Sequence, residues 1–270
     1  MAPPWLSLMD MSTSTIRRRM LPTLALLLVT GAAAACGQVT PSGGATPAVA
    51  VATTGSPESS AGSTAPVTPA PGATSARASA TGSGVRLDAT LEVGFSEQPA
   101  DPGVRRKPGV VVTYTLTRDG GGMGEVVAYD VVPDSLGSAG LPPDVNPEHA
   151  WVYADGDTVR ISKQSFAAAP GISFIAAPTT GVRVIPATGA LEGRAYAVSP
   201  PELDVPGAEF TAPRDALPAD PGTWEFCVQV GQRLPGMHPS SVGDGVLEAP
   251  VRAPEGDELL CTGPVALDAP

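Results

Sequence analysis

Val110-Val-Val-Thr-Tyr-Thr-Leu-Thr117 is β-branched and aromatic along its length, and it stops at Asp119-Gly-Gly-Gly122. A run of that kind, bounded by a turn cluster, reads as a strand. Glu125-Val-Val-Ala-Tyr-Asp-Val-Val132 follows and ends at Pro133, so the two runs and their glycine connection predict antiparallel neighbours. Upstream, Arg86-Leu-Asp-Ala-Thr-Leu-Glu-Val-Gly-Phe95 alternates polar and apolar residues, the pattern of a half-buried strand.

Downstream, Ala150-Trp-Val-Tyr153 and Thr158-Val-Arg-Ile-Ser162 flank Ala154-Asp-Gly-Asp157, a hairpin signal. Val182–Ile185, Arg194–Val198, Thr223–Val230 and Glu258–Val265 are further strand candidates. About nine short strands punctuated by turns, with no convincing helix, predict an all-β sandwich over 85–270. Pro133–Pro147 and Ser199–Pro221 carry too much proline for central strands and are expected as surface loops. Their length leaves room for a binding surface. The 31 glycines, 31 prolines and 4% aromatic residues agree with short strands and many turns.

Val111-Val-Thr-Tyr-Thr-Leu-Thr117 and Val126-Val-Ala-Tyr-Asp130 resemble the opening strands of immunoglobulin-like domains in bacterial envelope proteins. Trp224-Glu-Phe-Cys-Val-Gln-Val230 is similar to the penultimate strand of such domains, with Cys261 on the last. The resemblance implies an immunoglobulin-like antiparallel β-sandwich. It transfers no catalytic residue, and both cysteines fall late, unlike the inter-sheet pair of antibody domains.

The first third of the chain has a different texture. Arg17-Arg-Arg19 precedes the apolar run Leu21–Thr30, then Gly31-Ala-Ala-Ala-Ala-Cys36. A positive segment, a short apolar segment and small residues form a secretory signal. Its roughly fifteen apolar or small residues are few for spanning about 30 Å of hydrocarbon. Cysteine directly after Ala33-Ala34-Ala35 resembles the lipobox of bacterial lipoproteins, which implies removal of 1–35 and acylation (palmitate) of Cys36. Ala33 stands where that motif commonly has leucine. Arg17-Arg-Arg-Met-Leu21 also resembles a twin-arginine signal, so either export route is open, and Met11 and Met20 are alternative starts.

Residues 37–84 hold almost only Ala, Thr, Ser, Pro, Gly and Val, with Glu58 and Arg77 as their charges. Such a segment buries too little apolar surface to offset its ordering entropy. It reads as a linker reaching on the order of 40 Å, with Ser and Thr beside Pro open to glycosylation. The expected organisation is therefore signal peptide 1–35, lipidated Cys36 with linker to 84, and sandwich 85–270. The predicted address is the extracytoplasmic face of the cell membrane.

Three cysteines follow from that layout: Cys36 as anchor, Cys227 and Cys261 as a disulfide. The bridge closes a loop of about 35 residues, which chain entropy values at about 3–4 kcal/mol. The net charge of −11 disfavours nucleic acid. A monomer without cofactor is expected.

Chemistry-bearing patterns are sparse. His149 and His238 are the two histidines, and each is expected at the surface. No Gly-x-Ser-x-Gly elbow accompanies them. Met237-His238, with Met123, is a candidate copper pair, since thioether and imidazole suit that ion. Asp155-Gly-Asp157 lacks the remaining calcium ligands and is explained by the hairpin. Glu255, Asp257 and Glu258 are expected to be solvated. The sequence therefore predicts a non-enzymatic module that binds a protein or a cell-wall component, with a small-ligand or metal (copper) carrier or a protease inhibitor as alternatives.

Overall fold

Val85, Leu87, Ala89 and Leu91 alternate with polar residues, and this period of two turns one face of their strand inward. The computed structural model describes residues 73–98, 105–120, 124–137, 139–251 and 256–269. In chain order the strands are β1 (Ser75–Gly82), β2 (Val85–Gly94), β3 (Gly109–Arg118), β4 (Val126–Val131), β5 (Trp151–Asp155) and β6 (Thr158–Lys163). They continue as β7 (Thr179–Ile185), β8 (Ala190–Val198), β9 (Thr223–Gln232), β10 (His238–Pro239), β11 (Val246–Pro250) and β12 (Glu258–Cys261). Cys36, Met123 and Glu255 lie outside the described residues.

The strands form two packed sheets, a β-sandwich. The first has the order β1-β2-β3-β8; the second runs β10-β11-β7-β4-β9-β6-β5, with β12 also on β9. Pairing is antiparallel except for β6 against β9. Cys227–Val230 of β9 pairs with β12, so β6 and β4 lie end to end along the opposite edge of β9. The shared core joins Leu87, Val112, Tyr114 and Ala195 of the first sheet to Ile161, Ile185, Phe226 and Val228 of the second. Tyr114 stacks on Phe226 with ring centroids 4.8 Å apart.

The two glycine-linked runs are not neighbours. β3 has a polar face, with Thr113 exposed and Thr115 and Thr117 half-buried, and sits within the first sheet. β4 is buried from Val126 to Asp130 and lies between β7 and β9 in the second. A strand covered on both faces stabilises best at a sheet centre. One face of β4 meets the sandwich core. The other packs Val127 and Tyr129 with Val182, Met237, Leu247 and Ala249. Loop residues Leu136, Phe166 and Phe210 cover Trp151 and Tyr153 in a third cluster.

The folded region also begins earlier than Val85. Ser75–Gly82 forms an edge strand paired residue by residue with β2. Ala76, Ala78 and Ala80 pack against the core, while Ser75, Arg77, Ser79 and Thr81 face solvent. Alanine carries the inward face, so the alternation is weak in hydropathy and reads as linker. Ser83 and Gly84, with φ of 47° and 69°, close the hairpin in the left-handed pair of conformations that matches strand twist. Deleting residues 75–84 from the full chain is expected to lower stability by about 2 kcal/mol, on the order of three buried methyl groups. Urea unfolding measures the loss, and an unchanged midpoint would make β1 dispensable.

The β5–β6 hairpin turns on Gly156-Asp157, where Gly156 has φ 60°. Cys227 and Cys261 are directly opposed on β9 and β12 with Cα atoms 4.1 Å apart, and they are bonded.

Candidate ligand-binding cleft

A charged residue buried in a sheet is costly unless paired, and three such residues meet here: Asp130 on β4, Lys163 at the end of β6 and Arg183 on β7. The β4–β7 register shifts between Ala128 and Val131, the stretch that holds Asp130. The Asp130 carboxylate is fully buried and accepts hydrogen bonds from Arg183 Nε at 3.0 Å, from Arg183 Nη2, and from Tyr114 Oη at 3.1 Å. Tyr114 belongs to the first sheet, so this carboxylate ties the two sheets together.

Two glycines admit the arrangement. A Cβ on Gly193 would stand 2.2 Å from Tyr114 Oη, and one on Gly181 would stand 2.5 Å from Val131 Cβ. Burial, then the Asp130 charge, pushes the Tyr114 phenol well above its ordinary range. Burial opposes the Arg183 charge, but hydrogen bonding and attraction to Asp130 outweigh it and raise the guanidinium further.

Lys163 is wholly buried behind this pair. Its Nζ donates to Asp130 O at 3.0 Å and Pro147 O at 2.7 Å. Burial pushes the amine down to about 8; Asp130 and Glu148 oppose that shift, and Arg183 assists it. Unfolded lysine titrates near 10.5, so between about pH 8 and 10 the unfolded chain holds the extra proton. Stability is expected to rise with pH across that window, at no more than about 1.4 kcal/mol per unit. Chemical denaturation at pH 7.5, 8.5 and 9.5 tests this, and Lys163→Met should flatten the rise. A flat wild-type curve would mean that the amine stays charged.

Glu148 supplies the second buried carboxylate. It accepts from Ser96 Oγ, from Glu97 N at 3.0 Å and from Arg194 Nε at 3.0 Å. Burial works against its charge, but these donors prevail and hold its pKa below the usual value. Arg194 also pairs with Glu97 through Nη1 at 3.0 Å. Arg183 and Arg194 keep about 30% of their side chains exposed, held from behind by carboxylates that are almost wholly buried. Both line a cleft of about 490 Å³ between β8, the β4 bulge and the loop through Val242 and Asp244. Val131, Val145, Val242 and Val246 supply its apolar wall. Clefts of this size accept small ligands.

Beside it, a recess of about 270 Å³ is lined by His149, Tyr196 and Asp204, with Glu148 common to both. His149 is not a surface residue. Its ring is 11% exposed, meets Trp151 edge-on at 4.9 Å, and places Nε2 3.2 Å from Asp204 Oδ2 and Nδ1 3.2 Å from Val132 O. Loop residues Val132 and Asp204 bury it, and such long-range cover has no local sequence signal.

The copper candidates diverge. Met237 is buried in the cluster outside β4, and its Sδ accepts a hydrogen bond from Leu234 N at 3.5 Å, whereas His238 is exposed. Asp155 is paired with Arg160 at the hairpin, and Asp257 accepts from Gln229 Nε2 at 3.0 Å. Glu225, Cys227 and Cys261 approach within 4.8 Å of one another. The sulfurs are bonded together and Glu225 is held by Arg160 at 2.7 Å, so this trio serves structure.

Compared with family models, curated proteins and solved structures, the chain matches none. The case for a site thus rests on its own geometry. Among the described residues singled out in sequence, only Cys227 and Cys261 come together; the cleft is built from Asp130, Glu148, Arg183 and Arg194, with Lys163 behind them. A signal existed, because Asp130 and Arg183 interrupt apolar strands, but their mutual pairing is a property of the fold.

Proposed function

We propose that the protein is a lipid-anchored, extracytoplasmic binding module, non-enzymatic, that takes part of a protein or a cell-wall component into the cleft between β8 and the β4 bulge. The observation that carries this reading is the pair of half-exposed arginines held by buried carboxylates. Buried ion pairs are weak contributors to stability compared with apolar packing. Two of them on one cleft make better sense as a pre-organised binding surface. The signal segment, Cys36 and the tether support the address.

Co-sedimentation of the full chain with purified cell-wall sacculi, and its capture of partners from solubilised membranes, tests the reading. Specific binding weakened by Arg194→Gln is expected. Binding unaffected by that change, or no binding in either assay, would overturn it.

A second reading, protease inhibition, draws on the loop Pro170–Ala177. Ile175 is fully exposed on it, while the neighbouring Phe174 is stacked on Phe210 with centroids 5.3 Å apart. A fully presented side chain beside an anchored one suits insertion into an apolar pocket. Incubation with broad-specificity proteases decides: slow, stoichiometric inhibition lost in Ile175→Asp supports it, and clean cleavage ends it.

A further inference from the structure

The cleft has a backbone wall as well as charged side chains. β8 is an edge strand, paired on one side with β3. On its free side Tyr196 N donates to Glu148 O at 3.0 Å, and Glu192 O accepts from Arg183 Nη2 at 2.9 Å. In an antiparallel strand, alternate residues direct N–H and C=O to the same side. Arg194 lies between these two positions, so its N–H and C=O also face away from β3, toward the cleft that it and Gly193 line. Among the described residues no backbone partner meets this rung of the sheet edge, and the rungs above and below it are closed.

The charges around this rung restrict what fits. Arg183 and Arg194 each retain N–H groups beyond those given to Asp130, Glu148, Glu97 and Glu192 O. Glu192 and Asp244, also on the cleft, have no ion-pair partner among the described residues. Carboxylates outnumber guanidiniums, so an anion alone is repelled. A ligand carrying both signs places its carboxylate on the arginines and its ammonium near Glu192 or Asp244. The valine wall favours small aliphatic groups between them.

We infer that the cleft binds a short zwitterionic peptide with small aliphatic side chains, extended along β8 and paired through one rung with Arg194 N–H and C=O. Adding a strand to an exposed edge while capturing a free terminus is a physically coherent way to recognise peptides. The inference rests on the binding-module reading above and names its ligand class.

Titration calorimetry of the full-length protein with trialanine, its C-terminal amide and its N-acetyl form tests it. Trialanine is expected to bind one to one, and capping either end to weaken binding at least tenfold. In Arg194→Gln, trialanine and its amide should bind equally weakly. In Glu192→Gln plus Asp244→Asn, acetylation should no longer matter. Both variants alter half-exposed or exposed groups, and Glu148 keeps Ser96 and Glu97 N as donors. Equal binding of the three peptides, or no heat with trialanine, would overturn the assignment. If trialanine is silent while sacculi or partner binding still depends on Arg194, the peptide assignment fails and the module reading stands. If both are silent, both fall.

Discussion

Replacing Asp130 by alanine is expected to destabilise the fold by roughly 3–5 kcal/mol, the usual cost of breaking a buried ion pair from one side. Three groups lose a partner at once. Arg183 is left mostly covered with its charge uncompensated, Tyr114 keeps a buried hydroxyl without an acceptor, and Lys163 loses the carboxylate that most favours its charge. Urea unfolding monitored by tryptophan fluorescence measures the loss, since Trp151 and Trp224 are fully buried. The double variant Asp130→Ala plus Arg183→Ala should recover part of it, because removing both charges abolishes the uncompensated one. A loss below about 1 kcal/mol would mean that water reaches the pair and that the site is not pre-organised as described.

The second large effect lies on β9, where Cys227 follows Phe226, the ring stacked on Tyr114. Cys227→Ser plus Cys261→Ser is expected to lower stability by about 4 kcal/mol, from the entropy regained by an unfolded loop of about 35 residues. The bridge joins the two strands directly, and the segment beyond it closes the core. Val265 and Leu267 are buried there, and Trp224 N and Val265 O pair at 2.8 Å. Without the bond, hydrogen exchange is expected to accelerate first in residues 258–265. A uniform acceleration over the whole domain, with a loss below about 1 kcal/mol, would show that packing alone holds β12.

Much of the fold was legible because its strands carry their own punctuation. β2, β3, the β5–β6 hairpin, β7, β8 and β9 stand where alternation and turn residues put them. The pairing of β3 with β4 failed for a physical reason: adjacency in sequence predicts a hairpin, but β4 is apolar on both faces and belongs at a sheet centre. β1 escaped because three alanines make a thin apolar stripe inside a Thr/Ser/Gly-rich stretch. β10 and β11 were missed because Met237 to Pro250 is broken by Pro239, Gly243 and Gly245, which read as loop.

The site was harder to read. Asp130 and Arg183 stand out singly as charges within strands, whereas Lys163 falls just past the predicted Thr158–Ser162, and 53 positions separate Asp130 from Arg183. Only topology brings β4 and β7 together. Glu148 and Arg194 sit in ordinary polar surroundings in sequence, and nothing local distinguishes them from solvated residues. His149 was misplaced for the same reason, since the loops that cover it arrive from Val132 and Asp204.

The central claim is that ligand enters the cleft between β8 and the β4 bulge. Its most direct test is a photo-crosslinking residue placed at Val242, on the cleft wall, and in parallel at Ser79 on the outer face of β1. In intact cells, Val242 is expected to yield a discrete, light-dependent adduct that Arg194→Gln abolishes, while Ser79 yields none. Adducts of equal intensity from both positions, or from Ser79 alone, would contradict it.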